Sequence, residues 1–557
     1  MIKVKDPNQL DIFDPWAFLT PKRRQLLDSG WPGLFREHIL PSIPVDKVGR
    51  YFNETFGRPT KELYAMIGAL VLQQTLNLTD EETVRQYALD MQWHYALNIT
   101  EESDEAKYIS LKTLWNNRNI VAQNNLEDDI FKASTNRLAQ VFKVNIDQQR
   151  IDSVHIKSNM KRLGRISIFS ESIHKFLINL KRGQKEQFDT IDKEVADRYL
   201  TKDSLGCFSR VKPSESKKTL TEVSRDLFDL VQQFKICPDV TRMNSYQLLE
   251  RVLHEHCHFT DDKDNPVELK KSKEIPSDSL QNPSDPDATY SGHKGQGFQV
   301  QVMETFCDDE KEKEQSLNLI THVEVEPAHE SDANAIVPAI ESVEERNLKP
   351  KELQADSLYG SDDNCEIAGE HGIELIAPTM GSVDKEKLSI ADFQFSPKGE
   401  IVACPQGNAP AKVKKRKKIS IAFSATNCQN CPELSSCPVK KGKKYYYLRF
   451  TDKEMRIAKR RQYEQSDEFK DRYRWRAGVE ATMSEYDRRT GVKHLRVRGI
   501  KAVRFCATLK AIGVNIFRAA AVRAAKRYLK KSSAGYNTLR GTIFRLSKNN
   551  KGQLFVV

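Results

Sequence analysis

From about Gln149 the hydrophobic period of this chain changes from helical to alternating, and that change limits the folds open to it. Before it, residues 30 to 145 carry apolar side chains at helical spacing. After it, Val154 and Ile156 alternate with polar neighbours, and Phe298, Val300 and Val302 alternate with Gln299, Gln301 and Met303. Leu317, Leu319, Val323 and Val325 continue the period of two beyond a charged turn, DDEKEKEQS. Alternation sends successive side chains to opposite faces of a strand, so three strands are expected, the last two as a hairpin. A helix over 331–345, a strand over 353–356, another helix and a strand over 373–377 follow. A last, uninterrupted helix is expected from about Asp467 to Arg489.

The order strand, strand, strand, helix, strand, helix, strand, helix belongs to an α/β fold with a mixed sheet, the ribonuclease H-like arrangement. There the first strand is central and the fourth lies beside it. Asp152 on the first strand and Asp356 at the end of the fourth would then be neighbours, because adjacent strands are ~5 Å apart.

The last helix supplies a third acid. Tyr473, Arg476 and Glu480 are three and four residues apart, so one helical face presents a phenol, a guanidinium and a carboxylate together. Asp152, Asp356 and Glu480 form the set that divalent-metal phosphodiester chemistry needs. Two Mg²⁺ or Mn²⁺ ions held by such oxygens activate the attacking oxygen and stabilise the leaving one. Arg476 either orients Glu480 or contacts a phosphate. Taken singly, each acid has an ordinary reading as a cap, a turn residue or half of a surface ion pair. Asp332 and Glu304 are further acids with no motif around them. Asp362 and Asp363 read as first-turn residues favoured by the helix dipole.

Charge is segregated along the chain. All 77 acidic residues lie at or before Asp487, and 18 of the 88 Lys and Arg follow it, leaving the first 487 residues at a formal −7. A basic segment of this kind is either a polyanion-binding surface or a solvated helix. Arg488, Arg489, Lys493, Arg496 and Arg498 are its members nearest Glu480 and, with Tyr473 and Arg476, are the expected DNA contacts. The longest apolar run, about Ala65 to Leu72, is too short to span a bilayer, and the first residues lack a secretory h-region. A cytoplasmic chain with no membrane partner is expected, its ten cysteines serving as thiols or metal ligands.

The segment TKELYAMIGALVLQQTLN reads as an amphipathic helix, and Thr79-Asp80-Glu81-Glu82 opens the next with a capping box. The short Asn77-Leu78 turn between them permits a helix-turn-helix, or equally a packing domain that touches no DNA. The expected organisation is an N-terminal helical domain over 1–145, taken as DNA-binding, and a first part of the core over 146–164. A charged helical insertion over 165–283 precedes a second part of the core over 284–395. A cysteine-containing insertion over 396–446, final core helices over 447–520 and a basic tail over 521–557 complete it. In the second insertion Cys404, Cys428, Cys431 and Cys437 have spacing compatible with one tetrahedral thiolate Zn²⁺, or with free thiols. Its Lys412 to Lys418 stretch is the only low-complexity segment.

The segment YRWRAGVEATMSEYDRRTGVKHLRVRG resembles the Tyr-x2-Arg-x3-Glu signature of bacterial insertion-sequence DDE transposases. IDSVHIKSNMKRLGR, SDPDATYSGHKGQGFQVQVMETF and ADSLYGSDDN are similar to further blocks of one branch of that family. The N-terminal domain of that branch reads like GRPTKELYAMIGALVLQQTLNLTDEETVRQYAL. The likeness spans roughly residues 30 to 520 and keeps the motif order. It implies a ribonuclease H-like catalytic domain, Mg²⁺-dependent cleavage and strand transfer, and binding to double-stranded DNA at terminal inverted repeats and target. It also implies a homodimer on DNA and a place at the bacterial nucleoid. One departure stands out: the signature usually has Lys seven residues after the Glu, and here that residue is Asp487. A nuclease that cuts without joining would use the same acids, whereas a transposase-derived DNA-binding regulator would have lost one of them.

Overall fold

The structure, a computed structural model, describes residues 2–7, 12–200, 211–212, 214–262, 265–382, 384, 386–416 and 418–538, with side chains as far as Arg527. The N-terminal part is helical and includes α1 (Leu63–Thr75), α2 (Asp80–Leu89) and α3 (Leu126–Phe142). Glu62 caps α1 by accepting from the Tyr64 and Ala65 amides, and Thr79 and Glu82 form the expected capping box on α2. The expected amphipathic character of α1 is not found: every residue from Leu63 to Thr75 except Tyr64 is buried. A helix that is apolar all round is a core helix. The following α2 opens with Asp80, Glu81 and Glu82, of which Asp80 is held by Arg118 at 2.6 Å and Glu82 by the cap.

The sheet begins with β1 (Gln148–Lys157). A helical insertion follows, with α4 (Arg165–Gly183), α5 (Ser216–Phe234) and α6 (Asn244–His256) around a core of its own that includes Phe169, Phe176, Leu227 and Leu249. The chain then returns through β2 (Thr289–Ser291), β3 (Gly295–Thr305) and β4 (Ile320–Pro327). Next come α7 (Ile336–Glu344), β5 (Glu352–Gln354), α8 (Asp362–Glu370) and β6 (Glu374–Ile376). The order across the sheet is β4-β3-β1-β5-β6, with the short β2 also on β3. Strand β1 is antiparallel to β3, with Asp152 opposite Val302, and parallel to β5, with Arg150 opposite Gln354. Helices α7 and α8 are the crossovers that the parallel β5 and β6 require. The expected ribonuclease H-like mixed sheet is therefore present, with β1 central and β5, the expected fourth strand, beside it.

A small unit contains a two-stranded sheet, β7 (Gln394–Phe395) paired with β8 (Ile401–Ala403), and a separate four-stranded sheet of β9 (Lys412–Lys415), β10 (Ile419–Ser424), β11 (Lys440–Lys441) and β12 (Tyr445–Phe450) in the order β9-β10-β12-β11. Phe393, Ile401, Ile421, Phe423, Leu448 and Phe450 form its core, so this unit runs past the expected 396 and 446 limits at both ends. Helix α9 (Asp452–Tyr463), capped by Thr451 and Glu454, leads back to the main sheet.

The expected uninterrupted helix is broken. It consists of α10 (Asp467–Tyr473), a 3₁₀ turn over Arg474–Ala477 and α11 (Gly478–Thr490). Side chains of the sheet draw on carbonyls at the break: Gln354 Nε2 donates to Arg472 O at 2.9 Å and Arg150 Nη1 to Trp475 O at 2.6 Å. Gly478 lets Arg150 lie there, because a Cβ at 478 would come within 2.1 Å of its Nη1.

Helix α12 (Ile500–Thr538) packs on α1, α3 and β4 and joins the N-terminal helices and the sheet into one apolar core. The N-terminal helices thus share their core with the sheet, and α12 runs on past residue 521; residues 539–557 lie outside the described residues. Ile500–Arg527 is longer than the 65–72 run expected to be the limit, and meets the length and composition of a membrane span. In the fold 83% of its apolar window is buried within the protein.

Candidate active site

Arg476 stands at the 3₁₀ turn with its guanidinium among all three expected acids. Its Nη2 lies 2.8 Å from Asp152 Oδ2 and 3.8 Å from Asp356 Oδ2, and its Nη1 lies 3.4 Å from Glu480 Oε1. Asp152 comes from the middle of β1, Asp356 from just beyond β5 and Glu480 from the first turn of α11. Three segments more than a hundred residues apart in sequence therefore converge on one cation.

The acids differ in setting. Asp152 and Asp356 are recessed, at 16% and 28% exposure, while Glu480 is 71% exposed at the rim. Burial pushes the Asp152 carboxyl above its usual range; Arg476 opposes this, and Asp356 and Asp332 add to it. Asp356 Oδ1 accepts the Leu358 amide at 2.8 Å, which fixes the turn after β5. Tyr473 is half-buried and stacked on Phe469, with ring centroids 5.3 Å apart; burial raises its phenol, partly offset by Arg476.

One neighbour was not legible as a site residue. Lys294, in the turn between β2 and β3, donates to Ser153 Oγ at 2.9 Å and lies 3.9 Å from Asp332 Oδ2. Asp332 also accepts from Gln301 Nε2 at 2.9 Å, and Tyr359 donates to Gln301 Oε1 at 2.6 Å. The signal for Lys294 was slight, a lone Lys in a Ser-Gly-His-Lys-Gly turn.

Glu304 is excluded as a metal ligand. Fully buried on β3, it accepts from Arg150 Nε at 2.8 Å, Arg518 Nη1 at 2.7 Å and Thr482 Oγ1 at 2.7 Å. It therefore ties β1, α11 and α12 together behind the site. Among the described residues, the three carboxylates whose oxygens lie within 4.8 Å of one another are Asp362, Asp363 and Glu366. Arg456 pairs with Asp362 at 2.6 Å and Glu366 at 2.8 Å, and Lys453 with Asp363 at 2.7 Å, so that cluster binds α9 to α8.

The basic segment after Asp487 divides in two. Arg488, Arg496 and Arg498 are exposed. Arg489 is held by Glu485 at 2.7 Å and lies over the Phe517 ring, and Lys493 lies 4.0 Å from Asp487 and donates its amide to that carboxylate. Further on, Lys510, Arg518 and Arg523 make internal contacts, so much of the charge expected to face DNA balances the protein's own acids and carbonyls.

In the small unit Cys404, Cys428, Cys431 and Cys437 line one cavity of about 20 Å³. The Cys404 turn is closed by Gly407 at φ 77°, and the Asn408 amide donates to Cys404 Sγ at 3.4 Å. Burial, with the neighbouring sulfurs, pushes the Cys428 and Cys437 thiols up, and a hydrogen bond from the Val439 amide only partly offsets this at Cys437.

Residues 403–520 match the family model of the Transposase DDE domain, and residues 32–119 match that of the Transposase domain (DUF772). Both matches are to transposase domain models. The first spans most of the cysteine-containing unit, Arg476, Glu480 and the first part of α12; the second spans α1 and α2. Asp152 and Asp356 fall outside both and join the site through the sheet. No curated protein matches the chain. The matches bear out the resemblance to DDE transposases, and DNA is the partner that such families act upon.

Proposed function

We propose that this chain binds the terminal inverted repeats of an insertion sequence and catalyses metal-dependent cleavage and strand transfer, as a homodimer on DNA at the bacterial nucleoid. The observation that carries the reading is the convergence of Asp152, Asp356 and Glu480 on one guanidinium beside the central strands of a ribonuclease H-like sheet. The donor set is anionic and all oxygen, which fits Mg²⁺ or Mn²⁺. Asp152 and Asp356 would hold the metal from the sheet and Glu480 from α11. When bound, the metal supplies Lewis acidity at the scissile phosphate. Arg476 balances the crowded acids and positions Asp152. Tyr473, Arg488, Arg496 and Arg498 would meet the DNA, with Arg489 and Lys493 held back by Glu485 and Asp487. Cys404, Cys428, Cys431 and Cys437 would hold one structural Zn²⁺, whose preference for thiolates fits their convergence and their N–H···S contacts.

The test uses purified protein, Mg²⁺ or Mn²⁺, and the DNA flanking its own reading frame. Cleavage at the repeats and a joined product are expected. Asp152→Asn, Asp356→Asn and Glu480→Gln should each abolish both while duplex binding persists, since losing an acid lowers repulsion toward phosphate. A variant that cuts at the parental rate removes that residue from the ligand set. Cleavage without joining would establish the nuclease reading instead.

A further inference from the structure

The unit that carries the four cysteines is also the most one-sided in charge. Between residues 401 and 450 the only acidic residue is Glu433, against eleven Lys and Arg. Lys412, Lys414, Lys415, Arg416, Lys418, Lys440, Lys441, Lys443, Lys444 and Arg449 are all exposed. Among the described residues, no ion pair joins any of them to a carboxylate.

Strand register sorts these cations. Residues directly opposite across a pair of strands share a face. Lys412 is opposite Ala422, Ala422 is opposite Tyr447, and Tyr447 is opposite Lys440. In the next such row Lys414 faces Ser420 and Ser420 faces Arg449. The alternate positions Ile421, Phe423, Leu448 and Phe450 fill the core. One face of the sheet is therefore apolar and covered, and the other presents Lys412, Lys414, Lys440 and Arg449 around Tyr445 and Tyr447.

We propose that this acid-free face binds the phosphate backbone of duplex DNA, as a surface separate from the carboxylate site. It rests on charge and register alone, so it can stand or fall independently of the cleavage chemistry. A concentrated single-sign surface without internal partners is the footprint of a polyanion ligand. From Lys412 to Lys440 the face crosses three strand spacings, ~14 Å, close to the ~12 Å width of a major groove; the edge lysines can thus reach phosphates on opposite walls. The tyrosines favour duplex over single strand: Lys412 lies 5.5 Å over the Tyr445 ring and Arg449 5.4 Å over the Tyr447 ring. Rings covered by cations are not free to stack on unpaired bases. The face is also rooted at the catalytic loop. Strand β12 runs into α9, whose Arg460 Nη1 donates to Gly360 O at 3.1 Å, in the turn that follows Asp356.

The test is duplex binding by the full chain over a salt series, using DNA of arbitrary sequence. Each phosphate contact contributes roughly 0.9 to the slope of log affinity against log salt. The quadruple variant Lys412→Gln, Lys414→Gln, Lys440→Gln, Arg449→Gln should lower that slope by about 2–4 and weaken binding at least tenfold. The pair Lys412→Gln and Lys440→Gln should give about half the change in slope. A control removing four exposed cations of the helical insertion, Arg182, Lys185, Lys217 and Lys218, should leave the slope near parental. Melting temperature is followed in every variant, and all the substituted side chains are exposed. An unchanged slope in the quadruple variant overturns the proposal, as does an equal fall in the control. Single-stranded DNA losing more affinity than duplex would likewise overturn it.

Discussion

Arg476 shows how a residue with an ordinary local signature takes on a role set by distant ones. Its i, i+4 spacing to Glu480 is visible in the sequence, but its 2.8 Å contact with Asp152 depends on strand β1, 324 residues away. Without metal, this guanidinium is what offsets three close acids. Arg476→Gln should therefore lower stability in chelator by about 2 kcal/mol, at the lower end for a partly buried pair because Glu480 is solvated. Mg²⁺ or Mn²⁺ should restore part of the loss, read as the shift in denaturant midpoint between chelator and metal. Equal losses in both would mean that these acids do not share an ion. Glu127 is a second residue no pattern announces. It is fully buried in the first turn of α3, neither carboxylate oxygen has a hydrogen-bond partner, and burial raises its pKa to about 7. An acid whose folded pKa lies above its unfolded value of 4.5 contributes most below pH 4.5, and that contribution is lost as pH rises through about 7. The shift corresponds to about 3 kcal/mol. Glu127→Gln should accordingly stabilise the protein above pH 7 and change little near pH 4.5, in unfolding measured across that range. The opposite ordering would mean the carboxylate is ionised in the fold.

At the scale of elements, the strands were legible because a period of two survives in any one segment, and so the order that brings Asp152 beside Asp356 could be read. The break in the last helix could not, because the carbonyls at Arg472 and Trp475 are claimed by Gln354 and Arg150 from other strands. Gly478 was its one local trace. Similarly, α1 looked amphipathic because its Gln and Thr residues suggest a polar face, yet α12 covers that side: Lys510 Nζ, 3.4 Å from Gln74 O, also reaches Asn77 and Thr490. The cysteine spacing was readable, while the sheets around it were not, since β7 and β11 have only two residues each. So small a core usually needs a further staple. If Zn²⁺ supplies it, elemental analysis should find about one zinc per chain, and Cys431→Ser should lose the metal and loosen residues 390–450 to proteolysis. Protein prepared without chelator and free of zinc would leave the four as thiols.

For the whole molecule, α12 is the element that decides cooperativity. It lies between the N-terminal helices and the sheet, and Asn515 is fully buried against the edge strand β4. There its Oδ1 accepts the Ile320 amide at 2.8 Å and its Nδ2 donates to the Ile320 carbonyl at 2.9 Å, taking the place of a neighbouring strand. Arg518, one turn on, reaches Glu304 and Glu485. The basic C-terminal segment was read as a DNA surface because ion pairs spanning some two hundred residues leave no mark in local composition. The helical insertion, by contrast, has a core separate from the one that α12 completes. Two of the unfolding units are then the sheet with the N-terminal helices, and the insertion. All five tryptophans, Trp16, Trp31, Trp93, Trp115 and Trp475, lie outside 165–283, so tryptophan emission reports on the first unit while far-ultraviolet dichroism sees both. Asn515→Ala leaves the Ile320 amide and carbonyl buried without partners, a loss of about 2–4 kcal/mol. The emission transition should move to lower denaturant while a later dichroism step, from α4, α5 and α6, keeps its midpoint. If both signals shift together by the same amount, the insertion and the α12 core unfold as one, and the division drawn from their separate cores is wrong.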